Sequence, residues 1–388
     1  MNPRSLGVAL ALPWIVAPIV TAIRLSRSRS LDEAAPSVGE DAPLLSVIVP
    51  ARDEEENIER CLRSILATSY PRLELVLVDD HSRDPTRRIA ERIAREDARL
   101  RVVSAPDLPA GWFGKPWACA TGAREARGAI LCFMDADTTQ SPDLLPRMVD
   151  TMRARDAGML TVAGAQEMHT FWETLLQPQV FGMLLMRYGG TESVNESRHA
   201  WDKIANGQCI AIRRAAYESI GGHGAVRDKV AEDLMLAQRL FRAGVHTVLV
   251  LGVGQLSTRM YSSLGALVRG WRKNVFAGGI DALPAMAIAR ALFPVALTLF
   301  PLAELVPVAT LAAHAAGAAW PGPTALTWAW IATTAMLVAW SVVYLRARRS
   351  PLWAALFPLG ALVLLWIILG AIARWRRVSW KGRTYRAA

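Results

Sequence analysis

Apolar residues follow two patterns along this chain: long uninterrupted runs at both ends, and short runs with strand or helix spacing between them. Residues 6–23 form an uncharged segment long enough to span a bilayer, and residues 286–316, 325–345 and 352–373 form three more. Residues 44–49 and 73–78 are runs of strand length, apolar apart from Ser46 and Glu74. The first leads into a helix with Ile58, Cys61, Leu62, Ile65 and Leu66 on one face. The second leads into a helix reaching residue 96 and a short strand at 100–103. A helix over 115–127 precedes the run 130–134, which ends abruptly in Asp135-Ala136-Asp137. Strand–helix alternation at this spacing predicts an α/β fold, with a mostly parallel sheet between helices and right-handed crossovers. Beyond it, residues 170–188 are apolar but interrupted by Gln177-Pro178-Gln179, and read as an interfacial helix, with a fifth span as the alternative. Residues 209–212 read as a strand, and a helix opens at Glu232-Asp233.

These patterns divide the chain into a transmembrane anchor (1–29), a polar linker (30–43), an α/β domain (44–260), an interfacial region (261–284), a C-terminal transmembrane region (285–375) and a basic tail (376–388). Arg24, Arg27 and Arg29 follow the first span directly, and no small-residue cleavage site intervenes, which favours an uncleaved anchor over a signal peptide. The same arginines place the large domain on the cytoplasmic side.

Composition sharpens this picture. The chain is 52% hydrophobic with 20% charged residues, too apolar for an ordinary soluble enzyme. Its net charge of +10 is concentrated beside the apolar segments, which points to a membrane surface as partner and not to nucleic acid. The four cysteines have no zinc or redox spacing and read as core thiols.

Three predicted strands end in acids: Glu54, Asp79-Asp80 and Asp135/Asp137. Parallel strands bring such ends to one crevice, where open α/β sheets bind ligands. Alternation along an extended chain points Asp135 and Asp137 the same way, as a pair of hard oxygen ligands for Mg²⁺ or Mn²⁺. Lys115, at a helix start, offers a cation to phosphate, and Glu232-Asp233, at another, offers either a simple helix cap or a base for an acceptor hydroxyl. Arg269-Gly270-Trp271-Arg272-Lys273 either anchors to lipid headgroups or clamps a diphosphate. No G-x-G-x-x-G follows the first strand and no P-loop occurs, which excludes a dinucleotide-binding dehydrogenase and a P-loop NTPase.

Taken together, Val47-Ile48-Val49-Pro50-Ala51-Arg52-Asp53-Glu54, Val78-Asp79-Asp80-His81-Ser82, Gly114-Lys115, Asp135-Ala136-Asp137, Glu232-Asp233 and Arg269-x-x-Arg272 resemble the inverting glycosyltransferases of family 2, with the GT-A fold. The loop 108–115 is similar to the hopanoid-associated group, and the tail 378–386 to the end of ceramide glucosyltransferases. The resemblance implies that Pro50, Ala51, Arg52, Glu54, Asp80, Lys115 and Asp135 hold a UDP-sugar. It implies that Asp137, with Asp135, ligates Mn²⁺ or Mg²⁺, and that Asp233, beside Glu232, is the general base. Arg269 and Arg272, with Trp271 between them, would face the departing diphosphate. The implied acceptor is a hydroxylated membrane lipid; a polyprenyl-phosphate acceptor or a growing polysaccharide is the alternative. Two positions depart from the pattern: Asp53 replaces the usual Asn, and Lys273 stands where processive synthases carry Trp.

Membrane topology is over-determined by the charges. Four complete crossings would put the basic tail opposite the domain, so one segment should fail to cross. Residues 286–316, with Pro294, Pro301, Glu304 and Pro307, are the expected place for a break or re-entrant path.

Overall fold

The computed structural model describes residues 2–31, 39, 41–283, 286–373, 377–380 and 383–386. Most of the expected linker and part of the basic tail lie outside the described residues.

Helix α1 (Pro3–Leu25) precedes the domain. Its first half is β1 (Leu45–Ala51), α2 (Ile58–Leu66), β2 (Leu73–Asp79), α3 (Thr86–Glu96), β3 (Leu100–Ser104), α4 (Gly114–Glu125) and β4 (Ile130–Met134), matching the expected alternation closely. The chain continues through β5 (Thr138–Gln140), α5 (Leu144–Ala154), β6 (Met159–Ala163), β7 (Ala165–Gln166), α6 (Phe171–Tyr188) and α7 (Thr191–Asn195). Then come β8 (Cys209–Arg213), α8 (Arg214–Ser219), α9 (Glu232–Arg242), β9 (Thr247–Leu251), β10 (Leu256–Thr258), α10 (Leu264–Lys273) and α11 (Gly279–Ala282). Three long helices, α12 (Ala287–Ala315), α13 (Pro323–Arg346) and α14 (Phe357–Ala373), and a hairpin of β11 (Arg377–Trp380) and β12 (Arg383–Arg386) complete the chain.

The main sheet has the order β3-β2-β1-β4-β8-β6-β9. The β3–β4 half is parallel, β8 runs antiparallel to both neighbours, and β9 is parallel to β6. Both faces are covered. Residues such as Val47, Val49 and Leu75 pack towards α2 and α5, while Ile48, Val76 and Val78 pack towards α4 and α9. All four cysteines are buried and free, as core thiols should be. A small second sheet, β5-β10-β7, sits at the carboxyl end of β4.

The apolar helices gather against one side of this domain. Four are long and apolar enough to cross a membrane: Pro3–Leu25, Ala287–Ala315, Pro323–Arg346 and Pro351–Ala373. They expose Leu10, Ile19, Ile288, Leu299, Val338 and Leu362, an apolar belt that water would not tolerate. The break expected in the proline-rich segment is not present, because α12 runs as one helix. Proline at position 307 cannot bond the carbonyl one turn earlier, that of Ala303, and the Trp14 indole of α1 donates to that oxygen at 2.8 Å instead.

Helix α6 keeps both ends at the domain. Its Glu173 pairs with Arg259 at 3.1 Å, and its last carbonyl, Tyr188 O, accepts from Arg24 at the end of α1 at 2.8 Å. A capping box between Thr170 and Glu173 starts it.

Candidate active site

Because Ala51 lies opposite Asp79 in register, the loops after β1 and β2 run side by side. Asp53 adopts the left-handed conformation (φ 53°), which aspartate tolerates better than most residues. Its amide donates to Ser82 Oγ at 3.1 Å, and its own carboxylate accepts from the Arg83 amide at 2.8 Å. The Glu54 amide donates to Thr86 Oγ1 at 2.7 Å. Arg52 is buried, donates to Asp80 O at 2.6 Å and lies 3.8 Å from its carboxylate, while the Asp80 amide donates to Ala51 O at 2.8 Å. The expected nucleotide-pocket residues Pro50, Ala51, Arg52, Glu54 and Asp80 thus form one cross-braced rim.

The Asp-Ala-Asp segment differs from expectation. Strand β4 ends at Met134, and residues 135–137 turn, with the Thr138 hydroxyl donating to Asp135 O at 2.7 Å. The two aspartates therefore do not share a strand face. Asp135 turns towards Lys115, whose Nζ lies 2.8 Å from both Asp135 Oδ1 and Glu232 Oε1. Asp137 turns inward beside Thr258, whose hydroxyl donates to its backbone oxygen at 3.2 Å. Turning is forced by the next strand, β5, which leaves the main sheet to pair with β10.

Lys115 joins α4 to α9. Burial opposes the charged form of Glu232, the first residue of α9, but Lys115, a backbone hydrogen bond and His223 together hold its carboxyl below the usual range. Asp233, the second, is different. Its Oδ1 accepts from the Leu234 amide and its Oδ2 from the Gly207 amide, both at 2.8 Å. Burial and the neighbouring Glu232 charge still push its carboxyl up to about 6. The outcome is two adjacent carboxylates with separate duties: one locked to a lysine, one positioned and poised to take a proton.

Two residues that the sequence reading passed over, Gly207 and Tyr261, join the site, and so does Lys273 of the basic cluster. Gly207 precedes β8, and a Cβ there would sit 2.9 Å from Asp233 Oδ2 and 3.1 Å from Lys115 Nζ. Lys273 is half-buried, is pushed below the usual lysine range by desolvation, and interacts electrostatically with Glu232, Asp135 and Asp233. Tyr261 interacts with Asp137 and is raised by burial. Lys273 was visible only as a departure from a motif, and Gly207 only as a glycine beside a strand. We expect Gly207→Ala to lower kcat roughly 10–100-fold with a smaller loss of nucleotide affinity, since its Cβ crowds Asp233 Oδ2 most closely and Lys115 Nζ less so. Steady-state kinetics beside nucleotide titration would check this.

The motif around Arg269 is only partly at the site. Arg269 is exposed, Trp271 is buried between Phe181 and Tyr261 (ring centroids 5.8 and 5.9 Å away), and Arg272 stacks on Trp366 of α14 at 4.4 Å. Through Trp271 and Arg272 this helix is fastened to the membrane layer, while Lys273 feels the charge of the carboxylates without pairing with one.

The residues fit a divalent cation that shares its ligands with a diphosphate. Asp137 Oδ1 is buried with no hydrogen-bond partner among the described residues. Burial, then the Asp135 and Glu54 charges, push its carboxyl up to about 7. A cation would relieve each of these. No three His, Cys, Asp or Glu side chains among the described residues form a ready-made cage, as suits Mg²⁺-type ions that take one or two carboxylates plus substrate phosphates.

With this geometry established, similarity to known proteins becomes informative. Residues 46–221 match the family described as Glycosyl transferase family 2. The 4,4'-diaponeurosporenoate glycosyltransferase of Staphylococcus haemolyticus (strain JCSC1435) is 28% identical over 250 residues, covering 63% of this chain and 64% of that protein. A Bacillus subtilis (strain 168) protein named "Probable glycosyltransferase YdaM" is 31% identical over 216 residues, 53% of this chain and 48% of its own. The chain thus spans less than two thirds of the length of these curated relatives. Among solved structures, the mannosyltransferase PcManGT of Pyrobaculum calidifontis, in complex with GDP-Man and Mn²⁺, has the same fold. Its TM-score is 0.57 at 22% identity, over 96% of this chain and 98% of that one. Residues 46–221, somewhat under half of the chain, are thus similar to glycosyl transferase family 2.

Proposed function

We propose that this protein transfers a single hexose from a UDP-sugar to a hydroxyl group of a membrane lipid, with inversion, at the cytoplasmic membrane face. The observation that carries the reading is Asp233, a buried carboxylate fixed by two backbone amides with its pKa lifted towards neutrality, at the end of a crevice rimmed by Arg52, Asp80 and Asp135. In this mechanism the rim of residues 50–54 and 79–80 binds the nucleotide. Asp233 takes the proton of the acceptor hydroxyl, whose oxygen attacks the anomeric carbon as the bond to the diphosphate oxygen breaks. Lys115 and Lys273 supply positive charge beside the departing diphosphate. Mn²⁺ or Mg²⁺, held by Asp137 with Asp135, would bind the diphosphate and offset its growing charge.

The relatives support a long apolar acceptor, since one is named for a carotenoid acid; the hydroxyl in place of a carboxyl rests on Asp233, a base positioned to take a proton. The apolar belt beside the crevice supports it independently. Lys273, in place of the aromatic residue of processive synthases, favours one transfer over polymer growth. Purified protein in detergent, given Mn²⁺, a bacterial lipid extract and labelled UDP-glucose or GDP-mannose, tests the reading. Label from the UDP-sugar in an organic-extractable product is expected; label in a high-mass polymer, or from GDP-mannose alone, contradicts it.

The positions of the apolar helices support three crossings. Segment 351–373 is tied to the domain near both ends: Trp353 packs on Phe171 at 5.3 Å, and Gly370 lies against Arg272. If α1, α12 and α13 cross and α14 does not, the arginines at 24–29 and 346–349 and the basic tail all share the domain's side. In cells, Ala318→Cys should react with an external membrane-impermeant maleimide. Ala347→Cys and Thr384→Cys should react only after permeabilisation; external labelling of Thr384→Cys would restore four crossings.

A further inference from the structure

Inside the helical layer, away from the crevice, a set of buried polar side chains leaves several atoms unpaired among the described residues. Glu304 of α12 is 2% exposed, and neither carboxylate oxygen has a hydrogen bond among the described residues. Gln179 of α6 and Trp340 of α13 lie beside it without closing a hydrogen bond of normal geometry to either oxygen. Gln179 is fully buried; its amide nitrogen donates to Phe357 O at 3.4 Å, and its oxygen is unpartnered. The Trp340 indole N–H, 4% exposed as a residue, is also unpartnered. One face of α6 further round, Gln177 is fully buried with both amide atoms unpaired, one turn before the Phe181 that meets Trp271.

Burying such groups in an apolar layer is costly, and an ionisable residue there marks function by default. The fold also makes room for them. A Cβ at Gly360 would lie 3.0 Å from Gln179 Cγ, and one at Gly182 would lie 2.9 Å from the Trp340 ring. The cluster lies half-way along α1, since Trp14 bonds Ala303 O next to Glu304, about 16 Å by helical rise from Leu25. It connects to the crevice through α6, whose Glu173 holds Arg259 beside the Thr258 that meets Asp137.

We propose that Glu304, Gln179 and Trp340 form a binding site, separate from the nucleotide crevice, for a neutral hydroxyl group on a long-chain lipid. The donor and acceptor inventory selects this chemistry. A hydroxyl donates to Glu304 or Gln179 Oε1 and accepts from Trp340 Nε1 at once. An alkyl chain satisfies none of them, and a carboxylate or phosphate would carry a net charge into an apolar layer where Glu304, Gln179 and Trp340 offer no cation. The site rests on the lipid-acceptor reading and narrows it to uncharged, hydroxylated lipids, against polyprenyl phosphates and lipid acids.

The test uses the full chain in phosphatidylcholine nanodiscs with a diazirine-tagged octadecanol, followed by peptide mass spectrometry. Labelling is expected within 171–188, 287–315 or 323–346. It should be competed at least tenfold better by octadecanol than by octadecane, octadecanoic acid or octadecyl phosphate. Glu304→Leu should lose the label at least tenfold, and Glu304→Gln, which keeps hydrogen bonding and shape, should retain most of it. Nucleotide binding with Mn²⁺ is the folding control for both. Equal competition by octadecane, or labelling unchanged in Glu304→Leu, overturns the site. Should wild type label as expected yet transfer no sugar to any lipid, the transferase reading fails and the lipid site stands. Transfer without labelling here removes the site alone.

Discussion

Asp233→Asn is expected to reduce kcat about 10²–10⁴-fold, the usual share of a general base, while leaving nucleotide affinity near that of wild type. The amide preserves shape and its oxygen can still accept from the Leu234 amide, so the helix start is kept, although its NH2 cannot accept from the Gly207 amide. What is lost is the proton acceptor. Its neighbour cannot substitute, because Glu232 is committed to Lys115 at 2.8 Å and held in its charged form, a weak base. The same geometry sets a pH dependence. With its carboxyl pushed up to about 6, Asp233 must be deprotonated to act, so kcat/KM should fall tenfold per unit as pH drops below about 6. A profile flat to pH 4.5, or near-normal turnover by the Asn variant, would assign the base elsewhere.

The second large effect concerns Asp137. Its carboxyl is raised from 3.8 to about 7 in the metal-free protein, so ionising it opposes folding. Its contribution to stability is complete below its unfolded pKa of 3.8 and is lost as pH rises through about 7, at up to ~1.4 kcal/mol per pH unit. A cation competes with that proton. Mn²⁺ should therefore raise the melting temperature strongly at pH 8 and barely at pH 5.5. Asp137→Asn should melt higher than wild type at pH 8 without metal, lose the Mn²⁺ shift, and lose transfer activity. Melting curves in detergent across pH and Mn²⁺ concentration test all three; an unchanged Mn²⁺ shift in the Asn variant would remove Asp137 from the metal site.

The parallel half of the fold was legible because buried parallel strands leave near-continuous apolar runs and their helices a clean apolar stripe. The runs at 44–49, 73–78 and 130–134 became β1, β2 and β4 with ends moved by two residues or fewer. Strands β5, β7 and β10 were not legible, since two or three residues carry no periodicity, and yet they decide where Asp137 points. That is why alternation misplaced the aspartate pair. The break expected in α12 followed from counting prolines; the Trp14 indole that donates to one freed carbonyl comes from almost 300 positions away and leaves no local trace. Gly207 was missed, and Lys273 read only as one member of a basic cluster, for a related reason. A glycine that makes room for a carboxylate, or a lysine turned inward beside an outward arginine, is defined by its neighbours in space. The acids at the strand ends, by contrast, announced the crevice. Each is fixed to the end of an apolar run, and parallel pairing of those runs is enough to bring the charges together.

The central claim is that one hexose is joined to a lipid hydroxyl through Asp233. Its most direct measurement is the mass and anomeric NMR coupling of the organic-extractable product made by wild type and by Asp233→Asn from an α-linked UDP-hexose. The account predicts a lipid carrying a single β-linked hexosyl group from wild type and almost none from the variant. An α-linked product, a sugar joined through phosphate, or equal product from both proteins would contradict it.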